Sequence, residues 1–153
     1  MADIKLTFSE MLIAAQVGVM RQVQNMKYKR HNAHGTSGND WQIHIEGCLG
    51  ECAVAKYLGL YWAGALGDLR AGDVNDLQVR TRSSHSYDLI LHKSDSDVAK
   101  FILATGKNGS YILHGWILGS KGKLPQYWND PAGGRPAYFF PKEKLNDIDT
   151  LIW

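Results

Sequence analysis

Around residue 73 of this 153-residue chain the hydrophobic pattern changes period, and that change restricts the fold more than any other feature. Before it, apolar residues recur at three and four, the spacing of one helix face; after it, short β-branched and aromatic runs alternate with turn residues. Thr7-Phe8-Ser9-Glu10 reads as a capping box, and Met11, Leu12, Ala15, Val19, Val23 and Met26 then predict a helix over about 8–28. The loop HNAHGTSGND follows, and Asn39 with Gln42 opens a second helix through Trp41, Ile45, Cys48, Leu49, Cys52, Ala55 and Leu58 to a stop at Gly59. Ile43, Ala53, Val54 and Tyr57 occupy its other faces, so this helix is apolar nearly all round and should be buried on more than one side.

Strands are expected over 77–82, 87–92, 98–105 and 111–118, with Asn108-Gly109 as a hairpin turn between the last two. The stretch GSKGKLPQYWNDPAGGRP reads as a long loop, Tyr138 to Phe140 as one more short strand, and Pro141 as the start of a terminal helix through Leu145. The chain is thus expected to carry two helices followed by a strand-rich part. A single domain spans 1–153, with the N-terminal helix over about 8–28 and the core over about 39–150.

Composition narrows the classes further. Apolar residues are 44% and charged residues 21%, ordinary for a globular protein and unlike a disordered one. No apolar run approaches the roughly 20 residues of a membrane span, and the N-terminus lacks a secretory pattern. Cys48 and Cys52, four apart on a helix, suit no disulfide framework, so the cytoplasm is the expected location. A net charge of +2 is compatible with a nucleic-acid partner without requiring one.

The chemistry is concentrated in GDVNDLQVRTRS, residues 72–83. On a strand, Leu77, Val79 and Thr81 point one way and Gln78, Arg80 and Arg82 the other. Asp73 and Asp76 stand upstream, and Glu51 is a carboxylate on the apolar second helix that needs a partner, a metal or a wet cleft. Metal-assisted phosphodiester hydrolysis needs hard oxygen ligands converging on one ion and a cation beside the attacked phosphate. Two residues two apart on a strand can share that task, since both leave the same face.

The segments GECAVAKYLGLYW and GDVNDLQVRT, followed by YILHGWILGS and YFFPKEKL, resemble the PD-(D/E)xK nuclease superfamily, the restriction-endonuclease-like fold, and its small phage-type members in particular. The resemblance covers roughly residues 40–150. It implies an α/β fold of the α+β kind, a mixed sheet flanked by helices, in a metal-dependent deoxyribonuclease with a restriction-endonuclease-like core and an added N-terminal helix. Glu51 matches the helix glutamate, Asp73 the acidic ligand, Gln78 the acidic member of the (D/E)xK pair and Arg80 its lysine. Glu51, Asp73 and Gln78 would then hold Mg2+ or Mn2+, with Arg80 at the phosphate, while Arg82, Lys27, Lys29 and Arg30 grip the DNA backbone. The implied setting is the cytoplasm of a bacterial host. Oligomeric state is open, a homodimer included.

Two positions depart from that pattern. Gln78 is neutral where the family has Asp or Glu, and Arg80 stays protonated, which excludes it as a base but lets it clamp phosphate. Alternatives stand beside each residue. Glu51 can pair with a lysine or arginine elsewhere, and Glu46 is its rival on the same helix. Asp73 and Asp76 can be turn formers around Asn75; Gln78, Arg80 and Arg82 can be a solvated strand face; Lys27, Lys29, Arg30 and His31 can complement a helix C-terminus. His44, Cys48 and Cys52 with His31 or His34 could hold zinc, although cysteines among Trp41, Ile45 and Leu49 read better as core. At the level of function, the rivals are a nuclease-like protein that has lost catalysis and only binds nucleic acid or a host protein, and a small phage accessory or structural protein.

Overall fold

The computed structural model describes residues 1–28, 39–66 and 72–153, which form an α+β arrangement of three layers: a helix pair, a four-stranded mixed sheet and a small three-stranded sheet. The chain opens with β1 (Ala2–Lys5), a strand the sequence reading did not anticipate. Thr7 caps α1 (Phe8–Lys27) through the expected box: its side chain accepts from the Glu10 amide and the Glu10 carboxylate accepts from the Thr7 amide. Helix α2 (Asp40–Leu58) ends at Gly59, whose φ of 67° is the left-handed C-cap that glycine adopts without strain. Its N-terminus differs from expectation, because the Asn39 side chain makes no cap hydrogen bond.

Strands β2 (Leu77–Arg82), β3 (Leu89–Leu91), β4 (Lys100–Lys107) and β5 (Ser110–Leu118) follow. Asn108 and Gly109 join the last two with φ of 54° and 84°, the two positive values that a tight hairpin turn requires. The expected long loop instead folds into the one-turn helix α3 (Gly119–Gly122), a 3-10 turn at Pro125–Tyr127 and β6 (Trp128–Asn129) before β7 (Ala137–Phe140). The expected terminal helix shrinks to a single 3-10 turn at Lys142–Lys144.

In the main sheet the order is β1-β5-β4-β2, with β2 parallel to β4 and the other pairs antiparallel; β3-β7-β6 form the second sheet. Strand alternation divides the core between the two sides of the main sheet. Ile102 and Ala104 of β4 pack with Leu77, Val79, Val54 and Ala55 under α2, whereas Phe101 and Leu103 pack with Leu89, Leu91 and Phe140 of the second sheet.

Helix α2 is sandwiched, as its all-round apolar sequence requires: Cys48, Leu49, Gly50, Glu51, Ala53, Val54 and Ala55 are all buried. Toward the sheet, a Cβ on Gly50 would overlap the Thr81 side chain. Toward α1 the contact is equally close, and it reverses what the α1 pattern suggests. The buried residues of α1 are Ala14, Gly18 and Gln22, while Leu12, Val19, Val23 and Met26 are exposed. Helices cross this closely only where side chains are small, so the small stripe faces inward and the large one outward.

Two glycine substitutions separate this close approach from helix propensity. A Cβ on Gly18 would lie 2.5 Å from the Ile45 Cα and 2.8 Å from the His44 carbonyl oxygen, both backbone atoms that cannot swing aside. Gly18→Ala should therefore lower stability by about 2 kcal/mol or more. Gly47, on the next helix, has no atom within 4 Å of that position, and Gly47→Ala should gain up to about 1 kcal/mol from helix propensity. Urea midpoints check this; shifts of the same sign would contradict the packing described.

Candidate functional site

Glu51, only 5% exposed, is held by Arg21 of α1. The guanidinium donates from Nη1 to Oε1 at 2.6 Å and from Nη2 to Oε2 at 2.9 Å, and its Nε donates to the Ala65 carbonyl at 2.9 Å. Trp62 Nε1 adds a donor to Oε2 at 3.2 Å. Burial works against the Arg21 charge, but the paired Glu51 more than offsets it, so the guanidinium holds its proton more firmly than an ordinary arginine. The nearby Cys48 thiol is pushed up to about 12 by burial and by the Glu51 charge.

Asp73 opens a tight turn in which Asn75 takes the left-handed conformation, at φ 51°, and Leu77 N–H closes back on the Val74 carbonyl. Its Oδ2 accepts the Val79 N–H at 2.7 Å. Since β2 is an edge strand paired only with β4, this bond caps a donor on the free edge. The carboxyl is nevertheless pushed up to about 6, first by burial and second by repulsion from Glu51; the Val79 amide, Arg80 and Arg21 pull the other way. Asp73 thus sits within the field of both Glu51 and Arg80.

Gln78 and Arg80 share a face of β2 as predicted, but not the face on which α2 lies. Thr81, on the opposite face, is the residue that meets Gly50 of α2. Arg80 instead donates to Asp95 Oδ1 at 2.7 Å and lies 5.0 Å over the Phe101 ring, on the second-sheet side. Asp95 is tied in turn to the His92 amide at 2.8 Å. Arg82 donates to the Asp88 carbonyl at 2.8 Å and stacks 4.2 Å over Tyr87. The two arginines therefore join β2 to the segments around β3, and that face is neither a solvated one nor one shared with Glu51. Glu51 and Asp73 are brought together; Gln78 and Arg80 are separated from Glu51 by the strand itself.

The remaining sequence candidates divide as follows. Glu46 accepts from the Tyr111 hydroxyl at 2.6 Å and lies over the β4–β5 hairpin, away from Asp73. Lys27 packs 5.5 Å from the Tyr28 ring, whereas Lys29, Arg30, His31 and His34 lie outside the described residues. His44, a candidate for zinc, hydrogen bonds Asn25 at 3.0 Å.

Arg21 is the residue that sequence reasoning missed. The available signal was its isolation, since Glu10 and Lys27 are the other charged residues of α1 and lie at its two ends. A second polar line was equally invisible: the buried Thr105 hydroxyl joins His85 Nδ1 at 2.8 Å and His114 Nε2 at 2.6 Å. The cleft of about 400 Å3 bordered by Asn75, Asp76, Leu77, Val98, Lys100 and Trp153 includes none of the proposed catalytic residues.

As placed, Glu51 is matched to the Arg21 guanidinium and Asp73 to the Val79 amide. Both Glu51 oxygens accept N–H donors and Gln78 projects from the other face of the strand. The fold and this site define an α+β protein built around a buried arginine–carboxylate cluster. No family model, curated protein or solved structure matches the chain.

The raised Asp73 carboxyl gives a pH signature. Its folded value near 6 exceeds the roughly 3.9 of an unfolded aspartate, so its favourable contribution is complete below about pH 4 and is lost as pH rises through 6. Asp73→Asn keeps an oxygen for the Val79 N–H and never ionises. The variant should be more stable than the wild type by on the order of 2–3 kcal/mol at pH 8, with the margin vanishing toward pH 4. His44, His92 and His114, all depressed by burial, act with the opposite sign as pH falls, but equally in both proteins. A margin independent of pH would refute the assignment.

Proposed function

We propose that the protein binds nucleic acid on its second sheet and does not hydrolyse it, the constellation that resembles a nuclease carrying its own cation. The observation that carries this reading is the two-pronged Arg21–Glu51 contact, which engages both carboxylate oxygens a metal would require. Nucleic acid is favoured as the partner by the resemblance and by a basic, aromatic surface on the second sheet. There Lys93 lies 4.6 Å over Trp128, Trp128 meets Tyr138 edge-on at 4.8 Å, and Lys144 lies 5.6 Å from the Tyr127 ring. Rings interleaved with lysines offer stacking to bases and charge to phosphates.

A metal-dependent deoxyribonuclease is the second reading, favoured by Asp73. A buried carboxyl raised toward 6 beside Glu51 is a group that a divalent cation would stabilise in its charged form.

Mobility shifts with single- and double-stranded DNA in EDTA, beside cleavage assays in Mg2+ and Mn2+, test both. Binding should be strong at about 50 mM salt, fall steeply by about 200 mM, and weaken in Lys93→Ala and Trp128→Ala. No cleavage should accompany it. Absence of any shift at low salt would remove the nucleic-acid reading. Metal-dependent cleavage by the wild type, abolished in a folded Glu51→Gln or Asp73→Asn variant, would establish the nuclease instead.

A further inference from the structure

Outside the Arg21–Glu51 cluster, the Thr105 hydroxyl stands between two imidazoles, 2.8 Å from His85 Nδ1 and 2.6 Å from His114 Nε2. Three elements meet there: His85 comes from the connection between β2 and β3, Thr105 from β4 and His114 from β5. The backbone is shaped to bring His114 in. Leu103 pairs with Gly115 and Ala104 with Leu113, so His114 is the unpaired residue of a β-bulge, a feature that re-aims a side chain. Thr105 is fully buried, His114 is half-buried and His85 is exposed, so one end of the line is open to solvent.

A hydroxyl has one proton to donate and two lone pairs, and a neutral imidazole donates at one nitrogen and accepts at the other. With a nitrogen on each side, Thr105 is fully paired only when one ring donates to it and the other accepts from it. If His85 Nδ1–H donates, the hydroxyl proton goes to His114 Nε2, and His114 carries its own hydrogen on Nδ1. If His114 Nε2–H donates, His85 accepts at Nδ1 and carries its hydrogen on Nε2. In either case the two rings hold the same tautomer. One added proton enters at a nitrogen facing away from Thr105 and breaks neither bond. A second turns both facing nitrogens into donors, leaves the buried hydroxyl proton unpaired and sets two imidazolium ions against one oxygen.

We propose that Thr105 couples His85 and His114 into one acid–base unit holding a single extra proton, a clasp that ties the β2–β3 connection to the main sheet and opens when a second proton enters. The surroundings resist that second charge. Burial, then Lys142, His85 and the N-terminal amine, hold the His114 imidazole below its ordinary range, with Glu143 opposing, so His114 is the neutral member. The amine arrives on β1, whose Ala2 pairs with Leu113, and Lys142 and Glu143 on the turn after β7. On the segment that carries His85, the flanking charges are Arg82, which donates to the Asp88 carbonyl, and Asp88, whose carboxylate accepts the Lys142 amide at 3.1 Å. Lys142 Nζ reaches the Ser86 carbonyl at 3.2 Å. Those contacts involve no histidine, so the part that acid frees is the His85 tip.

This inference is independent of what the protein binds. Long-range 1H–15N correlation spectra of the full chain report tautomer and charge ring by ring. At pH 8 His85 and His114 should show the same tautomer, and the second protonation should need a proton concentration about tenfold or more above the first. Protection of the Ser86 and Tyr87 amides, which donate to Ser84, should fall across the second step and not the first. Thr105→Val should narrow the gap between the steps and remove the pH dependence of that protection, and Thr105→Ser should restore both. His85→Ala, at an exposed position, reads the coupling without disturbing the core: His114 should then protonate in one step, at higher pH than in the wild type. Opposite tautomers at pH 8, a gap unchanged in folded Thr105→Val, or a His114 titration unmoved by His85→Ala would overturn the proposal.

Discussion

The fork between Arg21 and Glu51 is the contact on which the arrangement depends. A carboxylate buried on a helix packed on two sides is tolerable only with a partner whose geometry satisfies both oxygens, and a guanidinium is the side chain that does so with parallel N–H donors. Arg21 comes from α1, so satisfying Glu51 also fixes the rotation of α1 against α2. That rotation turns Ala14 and Gly18 inward, permits the close helix crossing, and leaves Leu12, Val19, Val23 and Met26 on the outside. Coulomb attraction, helix packing and the character of the outer surface are thus consequences of one pairing. Whether such a buried pair adds net stability over an apolar substitute is a separate matter, since desolvation offsets much of the attraction.

The charged strand β2 serves the other side of the molecule. Its inward residues Leu77 and Val79 build the core beneath α2, while Arg80 and Arg82 reach the segments around β3 by an ion pair, a carbonyl contact and the Tyr87 ring. Asp73 closes the strand's exposed edge through the Val79 amide. An aspartate near Glu51, with arginines on both sides, has the residue order of a nuclease centre, yet the strand divides the set. Asp73 stands between the halves, feeling Glu51 and Arg21 from one side and Arg80 from the other.

The parts of the fold legible in sequence were those fixed locally. The Thr7–Glu10 cap, the Gly59 stop, the Asn108-Gly109 turn and the change from helix to strand period each depend on neighbouring residues. The all-round apolar character of α2 correctly implied burial on several sides. What could not be read was set by partners distant along the chain. The exposed stripe of α1 has the periodicity of a core face, and only the close approach of α2 shows that the small residues are the ones buried. β1 is a strand because β5 offers it an edge, and β6 exists because β7 does. The candidate site follows the same division: the common face of Gln78 and Arg80 follows from strand alternation, whereas the side of the sheet occupied by Glu51, and Arg21 as its partner, follow from the tertiary fold.

The central claim, that Arg21 is the cation of the buried carboxylate cluster, is tested most directly by a double-mutant cycle in urea. The variants are Arg21→Met, Glu51→Gln and the two combined. Arg21→Met strands a buried carboxylate and should destabilise by about 3–5 kcal/mol. Adding Glu51→Gln should recover a substantial part of that loss, giving a coupling above about 2 kcal/mol. Single losses that simply add, leaving the double variant the least stable of the three, would show that Glu51 is neutralised by something other than Arg21.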